Sequence, residues 1–94
     1  MAADKNFNYP LLDGWDTNDI TKVSALYSAV ASAYETGIEV QSLLDIYQAF
    51  LLVVPSKGEQ KQLDRVFQAE SGYSIYKTIQ AAKATTSRKL TMVN

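Results

Sequence analysis

The segment Val54–Tyr76, VPSKGEQKQLDRVFQAESGYSIY, constrains the fold more than any other, because it dictates a helix end, a helix start and a second helix end. Pro55 has no backbone N–H and clashes with the preceding turn, so the helix before it must stop. Ser56 with Glu59 three residues on is a capping-box pattern. The Ser hydroxyl accepts one orphan amide and the Glu carboxylate reaches back for another. The new helix runs to Ser71, and Gly72 can take the left-handed conformation that closes it. A chain punctuated in this way is built from short helices.

The same logic applied elsewhere predicts four helices. Asp13-Gly14 turns the chain, and Asp16 suits an N-cap, with Asp19 at N3 and Trp15 placed to pack as a hydrophobic staple. The first helix is predicted from Thr17 to Thr36. Ile20, Val23, Tyr27, Val30 and Tyr34 form its stripe, Leu26 and Ala33 widen it, and Gly37 ends it. The second starts near Glu39 and stops before Pro55. Val40, Leu43, Leu44, Tyr47, Phe50, Leu51 and Val54 form its inner face, and Leu52 lies off that face. The third presents Leu63, Val66 and Phe67, with Glu70 on the same stripe near the C-terminus, where the helix dipole calls for a Tyr or Lys partner. A fourth, about Tyr73 to Thr85, carries Ile75, Ile79 and Ala82. No strand is read anywhere. The expected fold class is all-α, a compact bundle or irregular array of three main helices plus a shorter fourth.

The expected domain organisation is a flexible tail over residues 1–8, one helical domain over 9–85 and a frayed C-terminal tail over 86–94. Tyr9-Pro10-Leu11-Leu12, extended as X-Pro favours, is expected to close one end of the core with Trp15. The longest apolar run, Ala49–Val54, is far short of the roughly 18 residues of a membrane span. The N-terminus MAADKNFNYP has no apolar core of a signal peptide, so a cytoplasmic location is expected.

Two absences narrow the function. The chain has no Cys and no His. Thiolate nucleophiles, disulfides, Cys/His zinc sites and the commonest general base near neutral pH are therefore excluded. No EF-hand pattern, Gly-rich phosphate loop or catalytic constellation is present, so the expectation is no catalytic residue, no metal and no cofactor. The net charge of −1 conceals two opposed halves. Residues 1–56 hold two Lys against seven acids, a balance of −5, and residues 57–94 hold seven cations against three acids, a balance of +4. Lys57, Lys61 and Arg65 step by four along the third helix and form a candidate basic face for phosphates. A solvated helix face is the commoner reading of such a row. The tyrosines at positions 27, 34, 47, 73 and 76 could stack on bases, but at helical spacing they more often border a core with the hydroxyl in water.

Several segments together resemble a known family. They are Tyr9-Pro10 followed by Asp13 and Trp15, LYSAVASAYETGI over residues 26–38, LLDIYQAF over 43–50, VPSKGEQKQLDRVF, and SGYSIYKTIQAAK. In this order and spacing they are similar to uncharacterised protein family 0223, the YktA-like small proteins of Gram-positive bacteria, over about residues 9–83. The resemblance implies an all-helical cytoplasmic domain and no assigned activity, substrate or catalytic residue. Relative to that family, Leu51, Leu52 and Val66 stand where charged residues are usual, and Gly58 stands where Ala is usual.

The expected function is a small non-enzymatic interaction module that binds an unidentified protein or a second copy of itself. Lys57, Tyr73 and Tyr76, which helix capping does not require, and Leu51, Leu52 and Val66 form its candidate interaction surface. The alternative is a nucleic-acid-associated protein using the face of Lys57, Lys61 and Arg65. A His-free, Cys-free enzyme is the third reading. Asp16, Asp19, Gly37, Ser56, Glu59 and Gly72 are assigned structural capping roles.

Overall fold

The protein is described by a computed structural model covering residues 14–93. Tyr9–Asp13 and the expected tail over residues 1–8 lie outside the described residues. The order of elements is α1 (Thr17–Glu35), β1 (Ile38–Glu39), α2 (Val40–Val53), α3 (Lys57–Ser71), α4 (Ile75–Ala84) and β2 (Lys89–Leu90).

Helix α1 begins with a complete capping box. The Asp19 N–H donates to the Asp16 carboxylate at 2.8 Å, and the Asp16 N–H donates to the Asp19 carboxylate at 3.2 Å. Acids here also suit the positive end of the helix dipole. The helix ends where Gly37 takes φ 94°, which lets the Thr36 and Gly37 amides both donate to the Ser32 carbonyl, at 2.8 and 2.7 Å. At the start of α3 the cap is only half of the expected box. The Ser56 hydroxyl accepts the Glu59 amide at a long 3.4 Å, without the return bond from the Glu59 carboxylate. Gly72, at φ 82°, closes α3 as expected.

All four helices contribute to one core. Val23, Leu26, Tyr27 and Val30 from α1 meet Leu43 and Phe50 from α2, Leu63 and Phe67 from α3, and Ile79 from α4. Val54, the residue before Pro55, is also buried there. Tyr27 and Phe67 stack with ring centroids 4.7 Å apart. Tyr27 is wholly buried, hydroxyl included, rather than bordering the core with a wet hydroxyl, and burial pushes its phenol pKa well up. Val66, read as part of the α3 stripe, is 37% exposed because the buried face of α3 narrows to Leu63 and Phe67. Leu52 stands 81% exposed, off the α2 face as read.

The tail expected to fray over residues 86–94 is instead built into the fold through residue 92. Strand β2 pairs antiparallel with β1, Ile38 opposite Leu90 and Glu39 opposite Lys89. The pairing was missed because a two-residue ladder has no readable alternation; the helix ends create the need for it. Glu39 gives α2 no side-chain cap, and the Arg88 carbonyl accepts the orphan Val40 amide at 2.7 Å. Beyond the strand, the Met92 amide donates to the Ala33 carbonyl near the end of α1, also at 2.7 Å. Leu90 packs against the core. The helical unit therefore extends past residue 85.

Candidate functional site

The segment SGYSIY was expected to open α4 at Tyr73, but the helix begins at Ile75 with Ser74 as N-cap. Ser74 is buried, and each of its polar groups is used. Its amide donates to the Tyr34 hydroxyl (3.3 Å), its hydroxyl donates to Asp64 (3.3 Å) and accepts the Lys77 amide (3.1 Å), and its carbonyl accepts the Thr78 hydroxyl (2.6 Å). Asp64 on α3 completes the cap across the helix junction. One carboxylate oxygen accepts the Ile75 amide at 2.7 Å and the other the Tyr76 amide at 3.3 Å. A carboxylate on a helix N-terminus is favoured by both the free amides and the dipole. The result ties α1, α3 and α4 together at one residue.

Tyr73 lies beside this junction. Its ring stacks on Tyr34 at 4.5 Å between centroids, and its hydroxyl donates to the Glu35 carboxylate at 2.8 Å. Tyr73 thus has a structural role that explains its presence. The partner expected for Glu70 belongs to Glu35: the tyrosine hydroxyl goes to the end of α1, and the Glu70 carboxylate makes no hydrogen bond or ion pair among the described residues.

Lys57 and Tyr76 are placed differently. Both line a cleft of about 660 Å³ between α2, α3 and α4. The α3 wall carries Lys57, Gln60, Lys61, Asp64, Arg65 and Gln68, spaced at i, i+3, i+4, i+7, i+8 and i+11 along one stripe. That stripe would normally be apolar and closed against its neighbour. Here it is polar, so α3 and α4 meet at the Asp64–Ser74 junction and leave an opening alongside it. Tyr47 and Phe50 from α2 and Ile75 and Ile79 from α4 give the cleft its apolar floor, and Lys83 stands over the Tyr47 ring at 5.7 Å from its centroid. Burial raises the Tyr47 phenol above its ordinary value. Tyr76 is 65% exposed.

The structure therefore joins the two candidate sets only in part. Lys57, Lys61, Arg65 and Tyr76 come together in the cleft, with Tyr73 outside its lining. Leu51, Leu52 and Val66 also lie outside it; Leu51 packs against the core, which leaves Leu52 as the largely exposed member of the three. Sequence reasoning missed Asp64 and Ser74 as site-forming residues, whereas Tyr47, already weighed among the tyrosines, and Lys83, a candidate cation of the basic C-terminal half, both line the cleft. The available signal was Ser74 directly before the apolar Ile75, an N-cap pattern that the neighbouring Gly72 stop obscured.

The model of Uncharacterised protein family (UPF0223) matches residues 6–91. The chain belongs to this family. A UPF0223 protein of Streptococcus agalactiae serotype V is 50% identical over 78 residues, 83% of this chain and 84% of that protein. One from Streptococcus agalactiae serotype III is 49% identical over the same shares. A UPF0223 protein of Streptococcus pneumoniae strain CGSP14 is 42% identical over 94% of this chain and 96% of its own length. The UPF0223 match continues through Lys89–Leu90, in keeping with a C-terminal strand that belongs to the domain. No helix among the described residues is long and apolar enough to cross a membrane.

Proposed function

We propose that this UPF0223 chain is a small non-enzymatic interaction module of the bacterial cytoplasm that receives an anionic partner in the cleft between α2, α3 and α4. The observation that carries this reading is the cleft lining: Lys57, Lys61, Arg65 and Lys83 against a single carboxylate, over a floor of Tyr47, Phe50 and Ile79. That carboxylate, Asp64, is hydrogen-bonded to the α4 N-terminus and keeps its charge, so the lining holds four cations against one anion, a balance of +3. The same engagement weighs against catalysis, since the acid best placed to act as a base is already committed as a cap. With no His or Cys in the chain and Asp64 committed as a cap, proton transfer or nucleophilic attack within the cleft would fall to its Lys and Tyr side chains.

The test is affinity capture from nuclease-treated streptococcal extract, using the wild-type protein and the variant K61E/K83E as parallel baits. A protein enriched by the wild type and lost from the variant supports the module. If neither bait enriches a protein reproducibly, or both enrich the same set, the reading fails.

The second reading, nucleic-acid association, is favoured by the row Lys57, Lys61 and Arg65, all exposed on one side of α3. It requires a gel shift that weakens steeply with salt. No shift at low salt would end it.

A further inference from the structure

The cleft combines two chemistries in one opening, and their arrangement narrows what fits. Its cations are distributed along the opening, with Lys57, Lys61 and Arg65 on the α3 wall and Lys83 on the α4 side. Four residues of helix rise about 6 Å, so the α3 row covers about 12 Å. One small anion would meet only part of it. The floor between the walls is apolar, and phosphate oxygens gain nothing from Phe50 or Ile79. A long polyanion would use the row of cations but leave the apolar part of the lining without a partner.

We propose, building on the module reading above, that the cleft receives an acidic peptide segment carrying an apolar or aromatic anchor. The anchor seats on the half-buried Tyr47 ring, where the edges of the core residues Phe50 and Ile79 reach the cleft, while acids flanking it meet Lys57, Lys61 and Lys83. Acids at i and i+4 of a helical segment have the same rise as Lys57 and Lys61, so an amphipathic acidic helix matches the wall in both spacing and sign. The cation–π contact holds the Lys83 ammonium beside the floor, where it can meet a carboxylate next to the anchor. The exposed Tyr76 ring offers a further apolar contact to the same segment. Charge sets the orientation and the rate of encounter, and burial of the anchor supplies most of the affinity.

The experiment selects random 12-residue peptides displayed on phage against the immobilised full-length protein. Enriched peptides are synthesised, their affinities measured by fluorescence anisotropy and their site mapped by amide chemical-shift changes, with the oligonucleotide dT12 run alongside at matched salt. The expected winners carry at least two Asp or Glu around a Leu, Phe or Trp and shift the amides of Lys57, Lys61, Tyr76 and Lys83. Their binding should fall at least tenfold in K61E/K83E, and at least tenfold again when the anchor is replaced by Ala. A peptide with Lys in place of its acids should regain binding to K61E/K83E. Winners that map to the cleft without acidic enrichment, or whose binding survives K61E/K83E, overturn the acidic-peptide proposal and leave the module reading standing. If no peptide is enriched, or dT12 binds in the cleft more tightly than every peptide, both fall.

Discussion

Asp64 receives three donors from the start of one helix, the Ser74 hydroxyl and the Ile75 and Tyr76 amides, while sitting on another helix. A hydrogen bond to a charged acceptor contributes roughly 1.5–3 kcal/mol, and losing an N-cap costs about 0.5–2 kcal/mol. Asp64→Ala should therefore destabilise the protein by about 2–3 kcal/mol, read as a lower urea midpoint at unchanged slope. Asp64→Asn, which keeps an acceptor oxygen without the charge, should cost about half as much. Equal losses would mean that shape rather than charge holds the junction. Tyr27 makes a second prediction at this scale. Burial raises its phenol pKa above the usual value, so the folded protein keeps a proton that the unfolded chain releases from about pH 10 upward. The unfolded state then binds fewer protons, and stability must fall as pH rises. This contribution is fully present below about pH 10 and is lost progressively above it. Urea midpoints measured from pH 8 to pH 11 should decline less steeply for Tyr27→Phe than for the wild type. A residual slope from Tyr47, also raised by burial, is expected in the variant. Parallel curves for the two proteins would remove Tyr27 as the source.

The β1–β2 pair is too short to be stable alone, since isolated two-stranded ribbons are marginal at best. It persists because it serves two helix ends at once and because Gly37 lets the chain pass close beneath it. A Cβ built on Gly37 would lie 2.8 Å from the Thr91 hydroxyl oxygen and 3.4 Å from the Leu90 carbonyl oxygen. Gly37→Ala thus combines two penalties, a left-handed backbone that an L-residue resists by about 1–2 kcal/mol and a steric clash with the C-terminal segment. The expected loss is about 2–3 kcal/mol. Adding Thr91→Ala should recover the clash but leave the backbone cost, so a double-mutant cycle should give a coupling of about 1 kcal/mol. A coupling of zero would mean that the C-terminal segment does not press on the turn. Amide exchange at Val40 and Met92 provides a direct check, because both amides bond across this joint.

At the scale of the whole molecule, binding and folding are expected to separate. Lys61 and Lys83 are exposed and lie outside the core, apart from the Lys83 contact with Tyr47. A surface cation–π contact contributes about 0.5–1 kcal/mol, and other exposed substitutions usually stay within about 0.5 kcal/mol. K61E/K83E should accordingly keep its circular dichroism spectrum and lose no more than about 1 kcal/mol in thermal melts. A larger loss would show that the cleft lysines are part of the fold. The division of charge favours such separability, because the cationic half supplies the cleft walls while the exposed acids Glu35, Glu39 and Asp45 lie on α1, β1 and α2, outside the cleft lining.

Local punctuation and periodicity determined most of the helical framework. Asp16, Gly37, Pro55, Ser56 and Gly72 mark starts and stops because backbone geometry and orphan amides act within a few residues of each other, and those effects are visible in the letters. The apolar stripes of α1 and α2 were legible for the same reason, as was Leu52 outside them. The tertiary structure alone decided what joins distant residues. Asp64 caps a helix other than its own, Arg88 and Met92 serve the ends of two earlier helices, and Tyr73 is explained by Tyr34 and Glu35 far back in the chain. The cleft belongs to this second class. Its α3 stripe reads as a solvated face, and only the packing of α2, α3 and α4 turns that face into the wall of a site also lined by Tyr47 and Phe50. Lys57 and Tyr76, two residues that capping left unexplained, acquire a common location there because packing brings α3 and α4 to the same cleft.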